Sequence, residues 1–156
     1  SKERLLRAFV AERVLPLVAE LGADIRAVGE DPRALVGTFV HGLHAAVRRN
    51  PWLPGLWLRE VISENGALRE VLFSQISHQV PRALAARFTA LQKEGALNPN
   101  LDPRLLVVSL IGLTLFPLAA EPIWRRIFDA GDIDYSTLER HTLALLENGF
   151  GGAHAR

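Results

Sequence analysis

Residues 105–120 read LLVVSLIGLTLFPLAA, sixteen positions without a charge. As a helix this run is about 24 Å long at 1.5 Å per residue, against roughly 30 Å of membrane hydrocarbon. It also carries Pro117. The run is too short for a membrane span. It predicts a helix buried on all sides, or buried partly against a partner chain. A helix without a polar face must be covered by other helices, so the run points to an all-α bundle.

The flanks continue the pattern. Asp102–Pro103 places a capping oxygen before a proline at the first helical position, so the uncharged helix runs about 103–120. Gly95 sits where a C-cap belongs. Upstream of it, a long segment at 67–94 carries Leu68, Leu72, Phe73, Ile76, Val80, Leu84, Phe88 and Leu91, with Pro81 expected to kink or split it. Asn50–Pro51 opens a helix at 51–64 that ends at Asn65–Gly66, and Asp31–Pro32 opens one at 32–49. In 2–21, Leu5, Leu6, Phe9, Val10, Val14, Leu17, Val18 and Leu21 make one stripe, with Pro16 as a kink and Gly22 as a stop. Downstream, a short helix covers 122–129. The last, 136–148, opens on Ser136-x-x-Glu139, a capping box, and ends at Asn148–Gly149. No run alternates with period two. The expectation is an all-α, single-domain bundle of six to seven helices over 1–150, followed by a flexible tail at 151–156.

Composition bounds the function. The chain has 156 residues, 49% hydrophobic and 22% charged, which suits one globular domain. It has no cysteine, which excludes disulfides, thiolate metal sites and a cysteine nucleophile. It has no methionine, so Ser1 is not expected to be the biological start. The net charge is +1, and Arg48–Arg49 and Arg125–Arg126 are the basic doublets. Such scattered charge does not suit tight nucleic-acid binding by this chain alone. Residues 1–21 carry charges throughout and do not read as a signal peptide. The expected location is the cytoplasm.

Motifs for catalysis are absent. There is no glycine-rich phosphate loop, no G-x-S-x-G and no H-E-x-x-H. His41-x-x-His44 puts two imidazoles on one helical face, and His78 or Glu60 would have to complete a metal site. Glu60 and Glu64 lie four apart, but neighbouring arginines such as Arg59 can pair with them. The chain is expected to be no enzyme and to hold no cofactor or metal. Aromatic and mixed residues are more suggestive. Phe39, Leu56, Trp57, Phe73, Ile76, Leu113 and Phe116 supply apolar walls, and His41, His44 and Glu60 supply polar groups, as in a small-molecule pocket.

The opening SKERLLRAFVAE resembles the start of the fourth helix in TetR/AcrR-type transcriptional regulators. There, an aromatic-rich end of the recognition helix is followed by a small residue and then S/T-K-E-x-L-L. Ser1, Lys2, Glu3, Leu5 and Leu6 fit the second half of that junction. Asn50–Pro51–Trp52, Leu68-Arg69-Glu70, Gly95-Ala96-Leu97, Asp102–Pro103 and the closing TLERHTLALLENGF resemble other parts of the family's C-terminal domains. The resemblance spans about residues 1–150.

It implies a ligand-binding and dimerisation domain, most often of a repressor. A helix-turn-helix DNA-binding domain is expected upstream of Ser1 and is absent from this chain. It also implies that the last two long helices form a four-helix interface with a second copy. Leu106, Ser109, Leu110 and Gly112 from the uncharged helix would contribute, with Leu138, His141, Thr142 and Leu145 from the last helix. The implied partners are a second copy, a small and partly apolar effector, and operator DNA through the N-terminal domain only, with no membrane. The first helix, bent at Pro16, would link the effector to the DNA-binding domain. A stand-alone helical interaction module is the alternative reading, and a His-based metal or acid/base enzyme a more distant one.

Overall fold

The computed structural model describes residues 1–64, 66–76 and 78–150. Among these residues there is no strand. The first rod is built of α1, Lys2–Phe9, a π-helical turn at Val10–Val14, and α2, Leu15–Ala27. Helix α3 is Pro32–Arg49. A short α4, Leu53–Leu56, runs on into a second π-helical stretch, Trp57–Ile62. Then follow α5, Leu68–Gln75, α6, Gln79–Lys93, α7, Pro103–Ala119, α8, Glu121–Ile127, and α9, Tyr135–Phe150. Counting each continuous rod once, the described residues form eight helices in one all-α domain, against the six to seven expected. The expected tail at 151–156 lies outside the described residues.

The additional helix comes from the segment expected as 67–94. Its break lies before Pro81, with Ile76 extended at ψ 123°. Pro81 falls in the first turn of α6, where backbone N–H groups have no intrahelical partner and a missing one costs nothing. At the other end of α6, Gly95 adopts φ +76°. Its N–H donates to Gln92 O and that of Ala96 to Leu91 O, a Schellman closure on the expected glycine.

Three other expectations are corrected. Gly22 does not stop the first rod, which continues to Ala27. A Cβ on Gly22 would lie 3.0 Å from Val80 Cγ2, so the glycine serves the close approach of α2 to α6. Asn50 does not open the next helix but closes α3, its Nδ2 donating to Ala46 O at 3.0 Å. The Ser136–Glu139 capping box does not form. Asp134 caps α9 instead, accepting from Thr137 N at 2.7 Å and Ser136 Oγ at 3.1 Å, and Glu139 is engaged elsewhere. Asp31 and Asp102 do cap α3 and α7 as expected, on Arg33, Ala34 and Arg104 backbone N–H groups.

Pro16 acts locally. Its ring crowds the carbonyl of Glu12, four residues back. The rod widens there, the Leu15 N–H reaching back to Val10 O in the π turn.

The main core joins α2, α3, α6, α7 and α9 through Ile25, Leu35, Phe39, Val40, Leu84, Phe88, Leu110 and Leu146. A second cluster sets Val10 and Val14 against Leu68 and Val71, tying the first rod to α5. A third sets Val47 against Leu115 and Leu118. Fully burying such a side chain is worth roughly 1.5–3 kcal/mol, so these contacts fix the helix order.

Helix α7 is not buried on all sides. Leu106, Val107, Leu110, Thr114, Leu115 and Leu118 are buried, while Leu105, Val108 and Phe116 are exposed. Among the described residues no single helix is long and apolar enough to cross a membrane. Helices α7 and α8 pass that test only as a pair bent by 67°.

Candidate functional site

Between the first rod, α3, α4 and α7 lies a cavity of about 280 Å³. Val14, Leu17, Val18 and Leu21 form one wall, and Phe39, Gly42, Leu43 and Ala46 of α3 the next. Leu53, Leu56, Trp57 and Val61 close it from the π-helical rod, and Leu68, Leu72, Ile76, Val80, Pro81 and Leu84 from α5 and α6. Val107, Ile111 and Leu115 of α7 complete the lining. Trp57 is the one lining residue whose side chain carries a polar atom. On α3 the lining carries two small residues, Gly42 and Ala46, one turn apart. At Gly42 the neighbour is close: a Cβ there would lie 2.7 Å from Leu21 Cδ1.

Of the expected ligand-binding residues, Phe39, Leu56, Trp57 and Ile76 line this cavity. The other six lie elsewhere. Leu113 packs against the main core. Phe73 is exposed, its ring 5.7 Å from that of His78. Phe116 is exposed on the outer side of α7. Glu60 is taken up by its own loop, accepting from Ala67 N and Arg59 Nε at 3.3 Å.

His41 and His44 belong to a different cluster, on the α9 side of α3. Nδ1 of His41 donates to Oε1 of Glu139, and Oε2 of the same carboxylate lies 3.8 Å from Nη1 of Arg48. His44 is one turn from each of these residues on α3, and it feels the charge of Glu139. The His44 ring is buried, 1% exposed, and neither nitrogen has a hydrogen-bond partner. Burial holds its pKa below the ordinary value, opposed by the charge of Glu139 and reinforced by Arg48 and His41. His44 is therefore a neutral imidazole at neutral pH. Among the described residues no three His, Asp or Glu side chains are grouped to hold a metal ion. The set His41, His44, His78 and Glu60 is not brought together.

The residues expected at a dimer interface divide by burial. Leu106, Leu110 and Thr142 face the protomer's own core, and Leu138 is half-buried. Ser109, Gly112, His141 and Leu145 are exposed. On α7 the exposed positions Leu105, Val108, Ser109, Gly112 and Phe116 follow helical spacing along one stripe. Ile123, Ile127 and Phe128 extend exposed apolar surface onto α8 and just past it, each at least 64% exposed.

A second and more open groove, about 470 Å³, lies between α1 and α5. It mixes Lys2 and Arg7 with Glu3 and Glu70, so neither sign dominates. The sequence reading missed Leu21, Leu43, Ala46, Val80 and Ile111 as cavity residues. The signal that could have found them is the paired small residues Gly42 and Ala46 facing the Leu17–Leu21 stripe. No protein-family model matches the chain, and no curated protein matches it significantly.

Proposed function

We propose that this chain is the effector-binding and homodimerisation part of a TetR/AcrR-type transcriptional regulator, most often a repressor in that family. On this reading operator DNA is bound by a helix-turn-helix N-terminal to Ser1, and the protein works in the cytoplasm. The observation that carries the reading is an apolar cavity walled partly by the first rod, in a domain that also leaves an apolar stripe uncovered on α7. The first rod is the element that would lead into a DNA-binding domain. A molecule in contact with Val14, Leu17, Val18 and Leu21 touches that lever directly. It shifts the regulator only by binding one geometry better than the other.

The exposed stripe supports the dimer. Leu105, Val108 and Phe116 are each at least 60% exposed and lie together on one helix face. Large contiguous apolar patches on a protomer mark interaction surfaces. A second copy related by a two-fold axis would bury the same stripe on both sides.

Molar mass in solution tests the reading. A mass near twice 17.2 kDa supports it, and Val108→Arg with Leu145→Arg should then return a folded monomer. A monomeric wild-type chain would instead favour a helical module that uses the α7–α8 surface for a different partner.

A further inference from the structure

We infer that the cavity takes a neutral, hydrocarbon-like molecule of about ten to twelve carbon atoms, chosen by size and shape rather than by hydrogen bonding. This deepens the effector role proposed above, and rests on it only in taking the cavity as the effector site.

The polar groups that would anchor a charged ligand either lie off the cavity lining or are bound to other groups. His44 sits on the α9 side of α3, away from the cavity face made by Phe39, Gly42, Leu43 and Ala46. His41 is bound to Glu139, and Glu60 to the backbone of Ala67. What remains is aliphatic and aromatic surface with one indole. An ionised group pressed against this lining would lose hydration and gain no partner, which disfavours it. A neutral apolar molecule meets no such penalty.

Size follows from volume. An apolar engineered cavity of about 150 Å³ stays dry and holds benzene, a six-carbon ring. The cavity here is about 280 Å³, and the same filling corresponds to about eleven carbons. Fused bicyclic aromatics, ten-carbon terpenoid skeletons and medium alkyl chains share this size and chemistry.

The test uses the purified chain with naphthalene, its carboxylate twin 2-naphthoate, benzene and pyrene, read by tryptophan fluorescence and melting temperature. Naphthalene should bind saturably, about tenfold or more tighter than benzene or pyrene. The carboxylate twin should bind at least about a hundredfold more weakly than naphthalene. Two variants place the ligand. Ala46→Phe fills the cavity and should abolish naphthalene binding. Leu56→Ala enlarges it and should move the preference toward pyrene, which keeps the test open if Ala46→Phe fails to fold.

Equal binding of 2-naphthoate, no binding of any neutral ring, or an unchanged size preference in Leu56→Ala would each overturn the inference. Molar mass separates this from the regulator reading. A monomer that binds naphthalene keeps the cavity assignment and loses the regulator, whereas a dimer that binds only 2-naphthoate does the reverse.

Discussion

Glu139 of α9 and His41 of α3, 98 residues apart, share a hydrogen bond that ties the last helix to the second rod. The carboxylate side chain is only 11% exposed, while His41 is 61% exposed and Arg48 is 50% exposed. Solvent therefore screens one side of the contact. Glu139→Gln preserves shape but removes the charge that faces both partners. It should lower stability by about 1 kcal/mol, less than a fully buried bond to a charged group because solvent screens one side. Urea denaturation measures this. In a double-mutant cycle Glu139→Gln and His41→Ala should fall short of additivity, because each removes the same bond. Fully additive losses would show that the pair contributes nothing of its own.

One turn along α3 from His41, His44 makes stability depend on pH. Its folded pKa lies below the ordinary imidazole value of 6.5, chiefly through burial. Between the two values the unfolded chain binds more protons than the folded one, so stability rises with pH. The contribution is complete above the unfolded value and declines as pH falls below about 6.5 toward the folded value. Urea midpoints at pH 7.5 and 5.5 should show the decline, and His44→Leu should reduce it. Neither ring nitrogen has a partner to lose, so His44→Leu should be at least as stable as the wild type at pH 7.5. An unaltered pH slope in His44→Leu would assign the dependence to other groups.

The end of α2 depends on a residue far along the chain. Arg87 donates through Nη1 to Ile25 O at 2.5 Å, and through Nη2 to Val28 O at 2.8 Å and Gly29 O at 2.6 Å. Helix C-termini leave carbonyls without intrahelical partners, and a planar guanidinium can serve several at once. Arg87→Lys keeps the charge but not the fork, and should cost about 1–3 kcal/mol. Hydrogen exchange should show the loss concentrated in 25–29. Arg69 plays the same part for Val61, Ile62 and Ser63, and Arg125 for Ala130 and Ile133. These arginines hold backbone carbonyls at helix ends and in the connection between α8 and α9.

Local signals in the sequence were legible where local physics decides. Asp31, Asp102 and Gly95 act through neighbours a few residues away, and each does what its type and position predict. Signals that tertiary contact decides were not. Gly22 looks like a stop in isolation, but its missing side chain admits Val80 from a helix more than fifty positions on. Glu139 fits a capping box by spacing, but His41 and Arg48 supply stronger partners than a backbone N–H. The candidate site divides in the same way. Phe39, Leu56, Trp57 and Ile76 lie on apolar faces that turn toward one cavity. His41 and His44 share a helix with Phe39, but a rotation of part of a turn puts them against α9 instead.

Gly112 offers the sharpest separation of a free helix face from a covered one. It lies mid-helix in α7 on the exposed stripe, and a Cβ built there meets nothing within 4 Å in the protomer. In a protomer with that face in water, glycine in a helix interior is unfavourable, and Gly112→Ala should stabilise by about 0.5–1 kcal/mol. In a dimer packed through α7, the glycine instead allows close approach of the partner's backbone. Gly112→Leu then holds the helices apart, leaves the protomer's own packing untouched and weakens association. The expected outcome is a Gly112→Leu chain with unchanged helix content by circular dichroism and a mass shifted toward 17.2 kDa at concentrations where the wild type is dimeric. A dimer of undiminished strength in Gly112→Leu would place the interface away from the α7 stripe, because a leucine at the centre of a two-fold helix contact meets its own copy across the axis.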